Sequence, residues 1–183
     1  MKRKFRWRHG HKGIRFHKNK IKVIKVIFLG DLLQINGIVM IKKLYEFDSA
    51  YVAGPASEEQ IRAAEEELGV KFPSEYREFL KEYGALAVHK YDIAGVFEHE
   101  DENEPPMFSH VANCSSGFKE FLEENLLPIS DDGMEIYFYL DCSPEHAGRV
   151  IAIGPEIGER VVAESFGEFL EKILKDEDPV GDL

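Results

Sequence analysis

The side chains able to do chemistry are Cys114, Cys142, four downstream histidines and many carboxylates. Cys114-Ser115-Ser116-Gly117 has a nucleophile's residue types, but a catalytic Cys needs a His and an orienting group beside it. Nothing near it in sequence supplies them, and Ser115 or Asn113 reads better as the N-cap of a following helix. His89, His99, His110 and His146 fall in neither an H-x-x-x-H nor an H-E-x-x-H pattern, so no metal motif is present. His99, flanked by Glu98, Glu100 and Asp101, reads as a solvated loop residue. Gly54-Pro55-Ala56-Ser57 lacks the Gly-Lys-Ser/Thr of a phosphate loop. The two cysteines make no metal or redox pair and are expected as free thiols of a reducing cytosol.

The carboxylates are a different matter. The chain of 183 residues has a net charge of −11, which hides a split. Residues 1–43 hold 13 of the 23 basic residues and one acid, Asp31. Residues 44–183 carry 10 basic against 33 acidic groups, a balance of −23. Such a domain repels phosphate and attracts basic proteins, so nucleic acid is not its expected partner. The exposed acids concentrate in two places. Glu98, Glu100, Asp101, Glu102 and Glu104 lie in a polar loop closed by Pro105-Pro106, and Asp131, Asp132 and Glu135 lie at strand ends. Both groups are candidate partner contacts. Tyr137 and Tyr139 share one strand face and are candidate interface anchors. No residue is assigned a catalytic, cofactor or metal role.

The elements that must position these residues are set by periodicity. Ile41–Phe47 reads as a short amphipathic helix. Ser57 and Gln60 form a capping box that opens a helix with Ile61, Ala64 and Leu68 inward and Glu59, Arg62, Glu65 and Glu66 outward. Gly69 stops it. Pro73 opens a second helix whose stripe is Tyr76, Phe79, Leu80 and Tyr83, ending at Gly84. Tyr91–Phe97 reads as one strand, and residues 115–125, with Phe118, Phe121 and Leu122, as a third helix. Leu127–Ile129, Glu135–Leu140, Arg149–Ile153 and Arg160–Ala163 read as four short strands with turn-rich connections, hence antiparallel. A last helix from Ser165 carries Phe166, Phe169, Leu170, Ile173 and Leu174 inward. The class is α+β: helices packed on a mostly antiparallel sheet.

The basic head, residues 1–39, has no apolar face, and its apolar stretch is too short for the roughly 20 residues of a membrane span. Nor does it have a signal peptide's cleavage site. Three readings stand: a basic arm, a strand over Lys22–Leu29 that adds to the domain, or a segment foreign to a protein that starts at Met40. The expected partition is this extension, a domain over residues 40–178, and a tail over 179–183.

The run Ile61, Glu65, Leu68-Gly69, Phe72-Pro73, Tyr76, Phe79-Leu80, Tyr83-Gly84 resembles the N-terminal signature of the SUKH superfamily. Leu127-Pro128-Ile129, the run Ile136 to Asp141, the run Gly148 to Ile153, and Glu164-Ser165-Phe166 with Phe169-Leu170 continue the resemblance in order. Members often have Asn-Gly where this chain has Tyr83-Gly84. The resemblance implies a cytosolic binding protein and no catalytic site. Bacterial members are mostly immunity proteins that block a cognate toxin, often a nuclease; fungal members are similar to a protein-interaction hub regulating cell-wall synthesis.

Overall fold

The computed structural model describes residues 50–98, 108–115 and 125–181. They belong to the larger of two compact units, Asp31–Leu183. The expected helix at Ile41–Phe47, the basic head, and Phe118, Phe121 and Leu122 lie outside the described residues.

Strand β1 (Tyr51–Val52) leads to helix α1 (Glu58–Leu68) and helix α2 (Ser74–Tyr83). A hairpin of β2 (Leu86–Val88) and β3 (Tyr91–Ile93) comes next, then a single helical turn, α3 (Val111–Ser115). The meander β4 (Leu126–Asp131), β5 (Tyr137–Asp141), β6 (Val150–Gly154) and β7 (Gly158–Ala163) ends in helix α4 (Phe166–Leu174). The sheets are β1-β2-β3 and β4-β5-β6-β7, and every pairing within them is antiparallel. The fold is α+β, as the sequence predicts.

Local chemistry explains the helix ends. The Ser57 hydroxyl accepts the Gln60 N–H at 3.2 Å, and the Gln60 side chain accepts the Ser57 N–H at 2.7 Å. Gly69 closes α1 at φ +70°, where a Cβ is disfavoured. Ser57→Ala removes one half of this box and is expected to cost about 1 kcal/mol. The check is a thermal melt, lowered by roughly 3 °C for a domain of this size. Pro73 sits one position earlier than expected, at the cap of α2. At α4, Ser165 accepts the Glu168 N–H, and Glu75 reaches from α2 to accept the Gly167 N–H at 2.8 Å. A carboxylate there also suits the positive end of the helix.

The core lies between the helices and one face of the four-stranded sheet. Tyr76, Phe79 and Phe166 meet at centroid distances of 5.1–5.8 Å, and Phe138 meets Phe169 at 5.2 Å. Tyr76 is fully buried, and its hydroxyl donates to the Ala94 carbonyl at 2.7 Å, tying α2 to the chain after β3. Phe138 and Leu140 face this core. Tyr139, on the other face, joins Leu126 and Ile151 in a second apolar cluster, with Tyr137 and Ile153 at its margin.

Three expectations need correction. Tyr91–Phe97 is not one strand. β3 ends at Ile93, and the next residues bond to three different segments: Ala94 N–H to Ile129, Gly95 N–H to Ser109, and Val96 N–H to Gly84. The helix near Cys114 begins at Val111, so Asn113 and Ser115 lie inside its turn. The Ser115 hydroxyl donates back to the Val111 carbonyl at 2.8 Å, and the cap is His110, whose Nδ1 accepts the Ala112 N–H at 3.3 Å. Glu65 does not face solvent. It is 4% exposed and accepts the Phe72 N–H at 2.9 Å and a guanidinium N–H of Arg77 at 2.7 Å.

Candidate functional site

Turn chemistry builds the first set of expected contacts. Asp131 accepts the Gly133 N–H at 2.7 Å; Asp132 accepts the Met134 and Ile136 N–H groups at 2.8 and 3.1 Å. These bonds shape the β4–β5 connection. Both aspartates are half-buried, while Gly133, Met134 and Glu135 are exposed, Met134 at 82%. The β6–β7 connection lies at the same end of the sheet, because Tyr137 pairs with Ile153 and Gly154 with Gly158. It adds exposed Pro155 and Glu156. This end therefore presents exposed Met134, Glu135 and Glu156 on its two connections.

Glu98 is placed elsewhere. It is exposed at the side of α1, where its carboxylate accepts the Gln60 side-chain N–H at 3.1 Å. No contact among the described residues joins it to the sheet-end acids. Glu100, Asp101, Glu102 and Glu104 lie outside the described residues, as does His99. Of the two tyrosines, Tyr137 is half-buried and Tyr139 is 1% exposed, so only Tyr137 offers ring surface.

The two ends of the acidic loop are joined by a neck that sequence reasoning missed. Gly95 and His110 form a parallel bridge, with Gly95 N–H donating to Ser109 and Val111 N–H to Gly95, at 2.9 and 2.8 Å. Phe97 packs edge-on against Phe108 and His110 at centroid distances of 5.9 and 5.5 Å. The one signal in the sequence was the aromatic residues flanking an otherwise polar loop. Burial holds the His110 imidazole below its ordinary 6.5, and the Glu67 carboxylate opposes this in part. A base with a depressed folded value gives stability that is complete above pH 6.5. That stability is lost as pH falls through the folded value. An NMR titration is expected to place the His110 midpoint below 6.5, and His110→Gln to remove its share of the acid slope.

The chemically capable thiols are quiet. Cys114 and Cys142 are free, and burial pushes them up to about 11 and about 12. A thiol so placed holds its proton at neutral pH and is a poor nucleophile. Among the described residues no group of three or more His, Cys, Asp or Glu is arranged to hold a metal ion. No described helix is long and apolar enough to cross a membrane.

The arrangement suits recognition. It presents ordered turns with exposed acids and a half-open aromatic strand face. No curated protein matches the chain. The SMI1 / KNR4 family (SUKH-1) model matches residues 55–172, which is more than half of the chain and runs from the α1 cap into the last turn of α4, and the chain belongs to that family.

Proposed function

We propose that the chain is a binding protein that neutralises a cognate toxin domain in the cytosol by covering a basic surface of it. The observation that carries this reading is a set of exposed carboxylates on a fold of this family. Glu135, Glu156 and Glu159 are exposed and make no ion pair with any described residue. A nuclease cleft is positive because it holds phosphate, so an acidic surface fits it as the substrate does. The acidic loop supplies Glu98, Glu100, Asp101, Glu102 and Glu104, and the sheet end supplies Asp131, Asp132 and Glu135. Tyr137 lies beside that end as an aromatic anchor. Tyr139 backs it from within the sheet. No step of chemistry is asked of the protein.

Charge of this kind acts mainly on association, and its effect falls with salt. Reversing the five loop acids to Lys is expected to slow association with the toxin at least tenfold at low salt and to abolish protection of cells that express it. Unchanged protection together with an unchanged association rate would sink the loop assignment. The other reading is a regulatory module with a partner encoded elsewhere, as in the fungal members. The neighbouring gene separates the two: a large toxin gene directly upstream supports neutralisation.

A further inference from the structure

Strand β7 is the last of its sheet among the described residues, and its first four residues, Gly158, Glu159, Arg160 and Val161, are all exposed. Alternate backbone N–H and C=O groups on such an edge point away from the sheet. The Val162 carbonyl is already taken by the Lys172 ammonium at 2.6 Å, so the stretch open to another strand is its first four residues. Register decides which side chains lie beside them. Glu159 is opposite Ile153 and Val161 is opposite Ile151. Both therefore share the face that carries Tyr137 and the second apolar cluster. Val161 is 44% exposed and continues that cluster outward to the edge. Arg160 points to the other face, where its guanidinium donates to the Val180 carbonyl at 3.3 Å. Exposed Glu156 and Glu159 make no ion pair with any described residue, and Arg160 lies on the opposite face, so the face of the edge that carries Val161 is negative as well as partly apolar.

We propose that the β7 edge is a docking site for an extended segment of a basic partner protein, added as a fifth strand. A cationic side chain of that segment would lie against Glu159 and an apolar one against Val161 and Ile153. Main-chain hydrogen bonds supply affinity in this mode, and alternate side chains supply selectivity. A second copy of this chain fits less well, because in a continuous antiparallel sheet it has no cation to set against Glu159: the one cation of its own edge, Arg160, lies on the opposite face. This inference rests on the reading of the chain as a protein-binding module.

The test uses the full chain and three labelled peptides: RTVTRTV, which sets cation and aliphatic alternately on one strand face, its acidic counterpart ETVTETV, and the proline-interrupted RTVPRTV. The expected result is saturable anisotropy binding of the first alone, with hydrogen-exchange protection of amides within Gly158–Val161. Val161→Lys and Glu159→Lys are each expected to weaken it at least tenfold without lowering the melting temperature. Absent binding, equal binding of the interrupted peptide, protection elsewhere, or unaltered affinity in both variants would overturn the assignment. So would a concentration-dependent doubling of mass that Val161→Lys abolishes, since the edge would then pair with itself. The peptides report on the edge alone. Failure here beside retained toxin protection removes only the edge assignment, and the converse removes only the toxin reading.

Discussion

Gly95→Ala is expected to destabilise the domain by about 4 kcal/mol, among the largest effects a single methyl group can have. Three backbone segments cross at this point. Gly54 N–H donates to the Tyr83 carbonyl at 2.9 Å and Val96 N–H to the Gly84 carbonyl at 3.0 Å. A Cβ on Gly95 would collide with the Gly84 carbonyl oxygen and come within 2.7 Å of its carbon and 2.9 Å of the Ala85 Cα. All of these are backbone atoms, so no rotamer change relieves the clash. The segments would have to part and give up the hydrogen bonds that hold β1, the end of α2 and the chain after β3 together. Gly84 is constrained twice over, since its φ is +71° and a Cβ there would strike the Gly54 carbonyl oxygen. Differential scanning calorimetry should show a melting temperature lower by roughly 10 °C for Gly95→Ala. Gly133→Ala is the control: its Cβ would meet nothing within 4 Å, so only its φ of +78° opposes the change.

Glu65→Gln is expected to cost about 3 kcal/mol, because it leaves Arg77 without its buried partner. The figure sits at the low end of the usual range since the Arg77 side chain is 20% exposed and also pairs with Glu58. Burial alone would push the Glu65 carboxyl up. The Phe72 N–H bond and the bond and charge of Arg77 outweigh it and hold the group below its ordinary 4.5. A carboxylate with a depressed folded value contributes stability that is complete above pH 4.5. This contribution is lost as pH falls through the folded value. Wild-type protein should therefore lose stability steeply below pH 4.5. Glu65→Gln should begin less stable at pH 7 and show a shallower acid slope over that window. Denaturant unfolding at pH 7, 5, 4 and 3 reads both quantities, and parallel slopes would refute the assignment.

How far the sequence carried depended on the range of the forces involved. The capping box at Ser57, the stop at Gly69, the stripe of Tyr76, Phe79, Leu80 and Tyr83, and the four meander strands rest on neighbours within a few residues, and all were legible. The face assignment of β5 was legible too, because a strand's side chains alternate. Strands β1 and β2 were not: two or three residues give no period, and they exist because Tyr51 and Val52 find Ala87 and Leu86. Glu65 was misread for a related reason. A helical wheel sets it about 40° from Ile61, at the edge of the apolar stripe, where an acid reads as solvated, and only the return of Phe72 and Arg77 makes its burial tolerable. Of the candidate site, composition exposed the acids, while their division between the α1 side and the sheet end needed tertiary pairing. The same pairing explains why Tyr139 is interior and Tyr137 is not.

The neck at Gly95 and His110 has a consequence for how such a protein can change over generations. The backbone bonds and the Phe97–Phe108 contact hold the two ends of the acidic loop irrespective of what lies between them. Closing a longer insert across a fixed base costs only about 0.6 kcal/mol for each doubling of its length. Residues between Glu98 and Phe108 can then be exchanged or lengthened while the core stays as it is. On the neutralisation reading proposed above, the loop would be an interchangeable cassette, and a defended lineage would keep pace with a diverging adversary without redesigning its scaffold.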